Sequence, residues 1–135
     1  MSVEVIDMGI ITQDDSILAS IKRTMPNSSI PEDYDVYDQE LITDINTELA
    51  ILQQLGVGPL DTVFVVTGTG ETWRDFVDDP ELLSLIPQYV ALRVKMIFDT
   101  SKSSTAVEQQ KDKSKELEFR IMDAARRYQR RKEGS

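Results

Sequence analysis

Ile42, Ile45, Leu49 and Leu52 recur at spacings of three and four residues. Such spacing lines one side of an α-helix and scatters over both faces of a strand. The stripe predicts a helix from about Asp38 to Leu55. Asp38 can accept from the first-turn N–H groups and favours the positive end of the helix dipole. Tyr37 and Ile42 stand at the positions of a hydrophobic staple, and Gly56 suits a left-handed C-cap. Asp44, Thr47, Glu48 and Gln54 fall on the other faces.

A helix with one apolar stripe must bury it against another element. The strongest partner is predicted from Ser84, as cap, to about Phe98, with Pro87 in the first turn where a missing N–H costs little. Ile86, Tyr89, Val90, Leu92, Val94, Met96 and Ile97 make it apolar nearly all round, interrupted by Gln88, Arg93 and Lys95, as expected of a central helix. A first helix is expected from about Asp14 to Met25, capped by Thr12 or Asp14, with Ile17, Leu18 and Ile21 on one face. Thr72-x-x-Asp75 fits a capping box for a short turn bearing Trp73, Phe76 and Val77. Thr105-x-x-Glu108 fits another, opening a last helix to about Arg131. Residues 108–116 of that helix are almost wholly polar. Leu117, Ile121, Ala124 and Tyr128 then return at helical spacing, so part of it is expected to project. The expected core comprises Ile42, Ile45, Leu49, Leu52, Trp73, Phe76, Tyr89, Val90, Val94, Phe98, Leu117 and Ile121.

Residues 62–67, Thr-Val-Phe-Val-Val-Thr, carry the one strong β signal. A lone strand is unstable. It is expected to form a hairpin, to pair with the loosely alternating arm of residues 1–12, or to pair with another subunit. Val63, Phe64, Val65 and Val66 are therefore candidate subunit-interface residues. The expected fold is mainly α: a helical bundle of about four helices, a short β-strand or hairpin element and a long C-terminal helix. One domain is expected over 1–135, with an arm at 1–12, a helical core at 13–119 and a basic helix end and tail at 120–135.

The 135 residues include neither cysteine nor histidine. Disulfides, thiolate sites and cysteine nucleophiles are excluded, and the commonest general base and metal ligand are missing. No catalytic, metal or cofactor-binding residue is expected. Gly68-Thr69-Gly70 lacks the lysine of a phosphate loop, and Trp73 breaks the dinucleotide pattern. Asp33, Asp35 and Asp38 depart from a calcium loop at Tyr37, Asp38 and Asp44. Asp33 and Asp35 would be the best acids of any histidine-free enzyme. No apolar run is long enough to span a membrane, and Met1 to Thr12 lack the basic start of a signal peptide.

Net charge is −9. Residues 1–48 hold eleven acids against Lys22 and Arg23, which accounts for all of it. Near the other end, Arg120, Arg126, Arg127, Arg130, Arg131 and Lys132 stand against Asp123. On a helix, 126 with 130 and 127 with 131 form two basic rows flanking Tyr128. That pattern suits an acidic protein surface, a phosphate backbone, or the negative end of the helix dipole. A bipolar subunit can mate with complementary surfaces.

Several segments, in order, resemble the head-to-tail connector (adaptor) proteins of long-tailed bacteriophages. They are Ile-Pro-x-x-Tyr-x-Val-Tyr-Asp-x-x-Leu-Ile from Ile30, Ile45-Asn46, Gln54-Leu55-Gly56-Val57-Gly58-Pro59 and Glu71-Thr72-Trp73-x-Asp75-Phe76. Tyr89-Val90-x-Leu92-Arg93-Val94-x-Met96-x-Phe98-Asp99 and Lys115-Glu116-Leu117-Glu118-Phe119-Arg120 follow. The resemblance implies a non-enzymatic virion protein of the neck, assembled in the host cytoplasm. It implies a ring, of twelve copies, beneath the portal, extending the channel for double-stranded DNA and docking the stopper or tail. It puts Arg126, Arg127, Tyr128, Arg130 and Arg131 at the portal contact. Two features depart from the family pattern: Phe98-Asp99 is followed by Thr100-Ser101 rather than prolines, and the basic end is longer. A DNA-packaging protein that binds nucleic acid, or another neck protein (stopper or tail terminator), are the rival readings.

Overall fold

The computed structural model describes residues 15–24, 37–98 and 103–133. Five helices lie among them: α1 (Ile17–Arg23), α2 (Asp38–Gln54), α3 (Trp73–Phe76), α4 (Pro80–Phe98) and α5 (Ser104–Glu133). The mainly helical expectation holds. The arm at 1–12, Asp33 and Asp35 lie outside the described residues, as does the side chain of Phe98.

The stripe on α2 is buried as its periodicity requires: Ile45, Leu49 and Leu52 are inaccessible to solvent and Ile42 nearly so. The helix ends in a Schellman arrangement. Val57 N–H donates to Leu52 O and Gly56 N–H to Gln53 O, with Gly56 at φ +89°. Gly58 is also at φ +89°, and a Cβ there would stand 2.6 Å from the Phe76 ring. Asp38 is the first helical residue rather than the cap. Its carboxylate instead meets Lys22 Nζ of α1 at 3.0 Å.

α4 packs most extensively on α5 and next on α2, so it is the central helix. It begins at Pro80, not at Ser84. Asp79 accepts Leu82 N–H through its carboxylate and Leu83 N–H through its carbonyl, and Pro80 takes the first position, which needs no donor. Ser84 is thereby inside the helix, donating to Glu81 O, and Pro87 is interior. α5 likewise starts one residue before Thr105, because Ser103 Oγ accepts Ala106 N–H. The box at α3 forms as expected, with Thr72 N–H donating to Asp75. α1 is pinned by Ser20, whose hydroxyl donates to Ile17 O and accepts from Trp73 Nε1 at 2.9 Å.

Residues 62–67 form no strand. Their edge is covered by side-chain amides of α2 instead. Asn46 donates to Val66 O and accepts Val66 N–H; Gln53 donates to Thr62 O and accepts Phe64 N–H. These bonds meet the backbone's demand for partners, so no neighbouring strand is required. Among the described residues the only β contact is an isolated bridge between Ser16 and Thr72.

Glu48 does not face outward as its position off the apolar stripe suggested. It is 2% exposed and accepts from Arg93 Nε of α4 at 3.2 Å. Arg93 Nη1 then donates to Ser114 Oγ of α5 at 3.3 Å. One arginine thus joins the three long helices. Burial raises the Glu48 carboxyl above its ordinary value, Arg93 opposes that, and Asp44 and Glu118 add to it. Arg93→Met removes the opposing charge, so the folded state holds the Glu48 proton still more tightly than the unfolded chain. A raised folded pKa gives stability that is full below the ordinary carboxyl value and lost as pH rises through the folded one. Arg93→Met should therefore cost about 2–3 kcal/mol at neutral pH, less than a fully buried pair because Arg93 is partly solvated. The deficit should shrink towards about pH 4, as read from urea melts at both pH values.

Candidate assembly interface

The residues expected at a partner contact collect at two ends of the bundle and on one loop. At the first end, the last turns of α5 lie against the start of α4. Arg131 Nη2 donates to Asp79 Oδ1 at 2.7 Å, and Tyr128 Oη donates to Asp78 Oδ1 at 3.1 Å. Arg127 is shared between Glu81 and Asp123. The Arg127 hydrogen bond holds the Asp123 carboxyl below its ordinary value, with Arg126 contributing, and Asp123 and Glu81 raise Arg127 in turn. The side chains of Arg131 and Lys132 lie over the Tyr128 ring, 5.9 and 5.5 Å from its centre.

The basic end is therefore largely a clasp within the chain. Of the five residues expected to meet a portal, Arg127, Tyr128 and Arg131 are engaged by acids some fifty positions away. Arg126 is exposed and reaches Asp123 at 3.5 Å. Arg130 is exposed and makes no hydrogen bond or ion pair among the described residues. A groove of about 380 Å³ runs beside the clasp, between residues 56–61, Asp78 and the Tyr128–Gln129 face of α5.

The loop is the segment 62–67 held over α2 by Asn46 and Gln53. Phe64 packs edge-on against Phe76, with centroids 5.2 Å apart, and Val66 is 1% exposed. Val63 and Val65 point the other way, at 78% and 48% exposed, and Leu60 before them is at 63%. The four residues expected to form one interface thus divide: two anchor the segment and two face out.

At the second end, the first half of α2 meets the last turn of α4. A shallow groove there is lined by Gln39, Glu40, Thr43, Asp44 and the half-exposed Ile97. Burial raises the Asp44 carboxyl, and Glu40 one turn earlier adds to it. Neither acid has an ion-pair partner among the described residues.

Gly68-Thr69-Gly70 is a turn, and the site a phosphate would need is taken. Glu71 accepts Thr67 N–H, Gly68 N–H and the Thr67 hydroxyl. Burial acts to raise its carboxyl, but these hydrogen bonds outweigh it and hold Glu71 below its ordinary value. Among the described residues no cluster of acids is placed to hold a metal, and no helix is long and apolar enough to cross a membrane.

The sequence profile described as "Phage connector protein" matches residues 17–128, which covers every described helix but the last turn of α5. The chain belongs to the phage connector protein family. No curated protein and no solved structure matches it. Connector membership makes it a structural protein of the bacteriophage head–tail region, associated with other head or tail proteins.

In this connector the clasp has a measurable part in the fold. Asp79 both caps α4 and holds Arg131, so Asp79→Ala should destabilise by about 1–3 kcal/mol. Arg131→Ala, which strips only an exposed partner, should cost under about 1 kcal/mol. Urea denaturation of the two variants separates these costs.

Proposed function

We propose that this connector assembles as a ring beneath the portal, extends the DNA channel and presents the docking surface for the stopper or tail. The observation that carries the reading is the family match across the helical bundle, joined to surfaces that the bundle leaves open. Leu60, Val63 and Val65 on the loop and Phe119 on α5, 68% exposed, are large apolar side chains facing solvent. Loop and helix then divide the work: Val63 and Val65 face the neighbouring copy, and the clasped α5 end around Arg127, Tyr128 and Arg131 faces the portal. Ring contacts are heterologous, so each copy offers two different patches. Twelve copies match the portal in the arrangement that the resemblance implies.

A channel must let DNA pass. A subunit of net charge −9 repels a polyanion along its acidic faces, and the clasp offsets most of the basic end with acids. This disfavours a nucleic-acid-binding role. The chain has no catalytic part in this reading, and it resides in the virion neck.

Mixing the purified chain with its cognate portal and imaging by negative stain tests the proposal. A second ring stacked coaxially on the portal is the expected result. A portal that stays bare at saturating concentrations of the chain contradicts it.

A further inference from the structure

Two charged rows of opposite sign sit at opposite ends of the bundle. α2 and α5 both run antiparallel to α4: Glu48 meets Arg93, whereas Arg127 and Arg131 meet Glu81 and Asp79. Glu40 and Asp44 therefore lie beside Ile97, at the last turn of α4. Arg126 and Arg130 lie beyond the clasp, at its first turn. Sixteen residues of α4 separate Glu81 from Ile97, roughly 24 Å at the standard helical rise. No copy can bring its own two rows together.

The rows match in spacing as well as in sign. Glu40 and Asp44 are one turn apart on α2, and Arg126 and Arg130 are one turn apart on α5. Residues four apart on a helix are neighbours on its surface, so each row presents two like charges. The acids repel one another, and Arg126 shares Asp123 with Arg127. The two rows are opposite in sign. Each also borders an exposed apolar residue, Ile97 beside the acids and Phe119 two turns along from Arg126.

We propose that copies of this chain join head to tail, the Glu40/Asp44 row of one against the Arg126/Arg130 row of the next. The inference rests on the ring reading and names the surfaces that close it. Such a contact is heterologous and propagates around an axis. Rows of opposite sign also set register and suppress wrong pairings, since like rows repel.

Charge reversal tests this on the full chain with the cognate portal. One variant is Glu40→Arg with Asp44→Arg; the other is Arg126→Glu with Arg130→Glu. Glu40, Arg126 and Arg130 are exposed and Asp44 is partly exposed, so circular dichroism checks that each variant keeps the parental fold. Each variant alone presents two rows of one sign. Its half-saturation concentration for ring formation should rise about tenfold or more. An equimolar mixture restores complementary rows at every contact and should assemble like the parent, as should a chain carrying all four changes. Either variant assembling normally by itself, or a mixture that stays unassembled, overturns the proposal. A parent that forms rings while the variants do so equally sinks this pairing and leaves the ring reading intact; a parent that never forms rings sinks both. Retention of duplex DNA that is lost in Arg126→Glu/Arg130→Glu while assembly is unchanged assigns the basic row to nucleic acid, and also overturns it.

Discussion

The buried contact of Glu48 with Arg93 fixes how the three long helices stand against one another. A carboxylate nearly closed to water is costly unless it meets a cation, and one arginine reaches it while also bonding Ser114. A slip of one turn between α2 and α4 would part them and leave Glu48 buried alone. Such a pair adds little net stability against an apolar substitute, and its effect is to select one register among several. That register puts the acidic start of α2 at one end of the bundle and the basic finish of α5 at the other.

The polar side chains of this fold mostly act as substitutes. Asn46 and Gln53 replace a neighbouring strand, Ser20 satisfies Trp73, and Glu71 fills the turn that an anion would enter. The clasp of Asp78, Asp79 and Glu81 with α5 offsets much of the basic end. The outward apolar residues are few, Leu60, Val63 and Val65 on the loop, Phe119 on α5, and Tyr37 and Ile97 at the α2 end of the bundle. In the proposed ring this suits a subunit that meets copies of itself and other virion proteins without retaining DNA.

The helices were legible in the sequence wherever burial imposes a period. Ile42 to Leu52 and Ile86 to Val94 announce their buried faces through spacing alone. The starts of α4 and α5 were not, because Ser84 and Thr105 offer the same capping chemistry as Asp79 and Ser103, and only packing chooses between them. The strand at 62–67 was a sound reading of β-branched composition, but its partners are two amides on a helix, 11 and 20 residues away. The burial of Glu48 and the clasp at the basic end were not legible for the same reason. Their partners Arg93, Asp79 and Glu81 lie some fifty residues off, beyond any local pattern. One clue was available: Arg93 interrupts an otherwise apolar helix, and a charge there needs a buried partner.

In the proposed ring, copies meet through unlike ends held apart by the helical bundle. The chain contains no cysteine, so a pair can be introduced without background. Asp44→Cys with Arg130→Cys, assembled on the portal and treated with a short thiol-reactive cross-linker, reads the contact directly. The account predicts a ladder of oligomers joined from residue 44 of one copy to residue 130 of the next. Dimers joined 44 to 44 or 130 to 130, or monomers cross-linked within themselves, would contradict it.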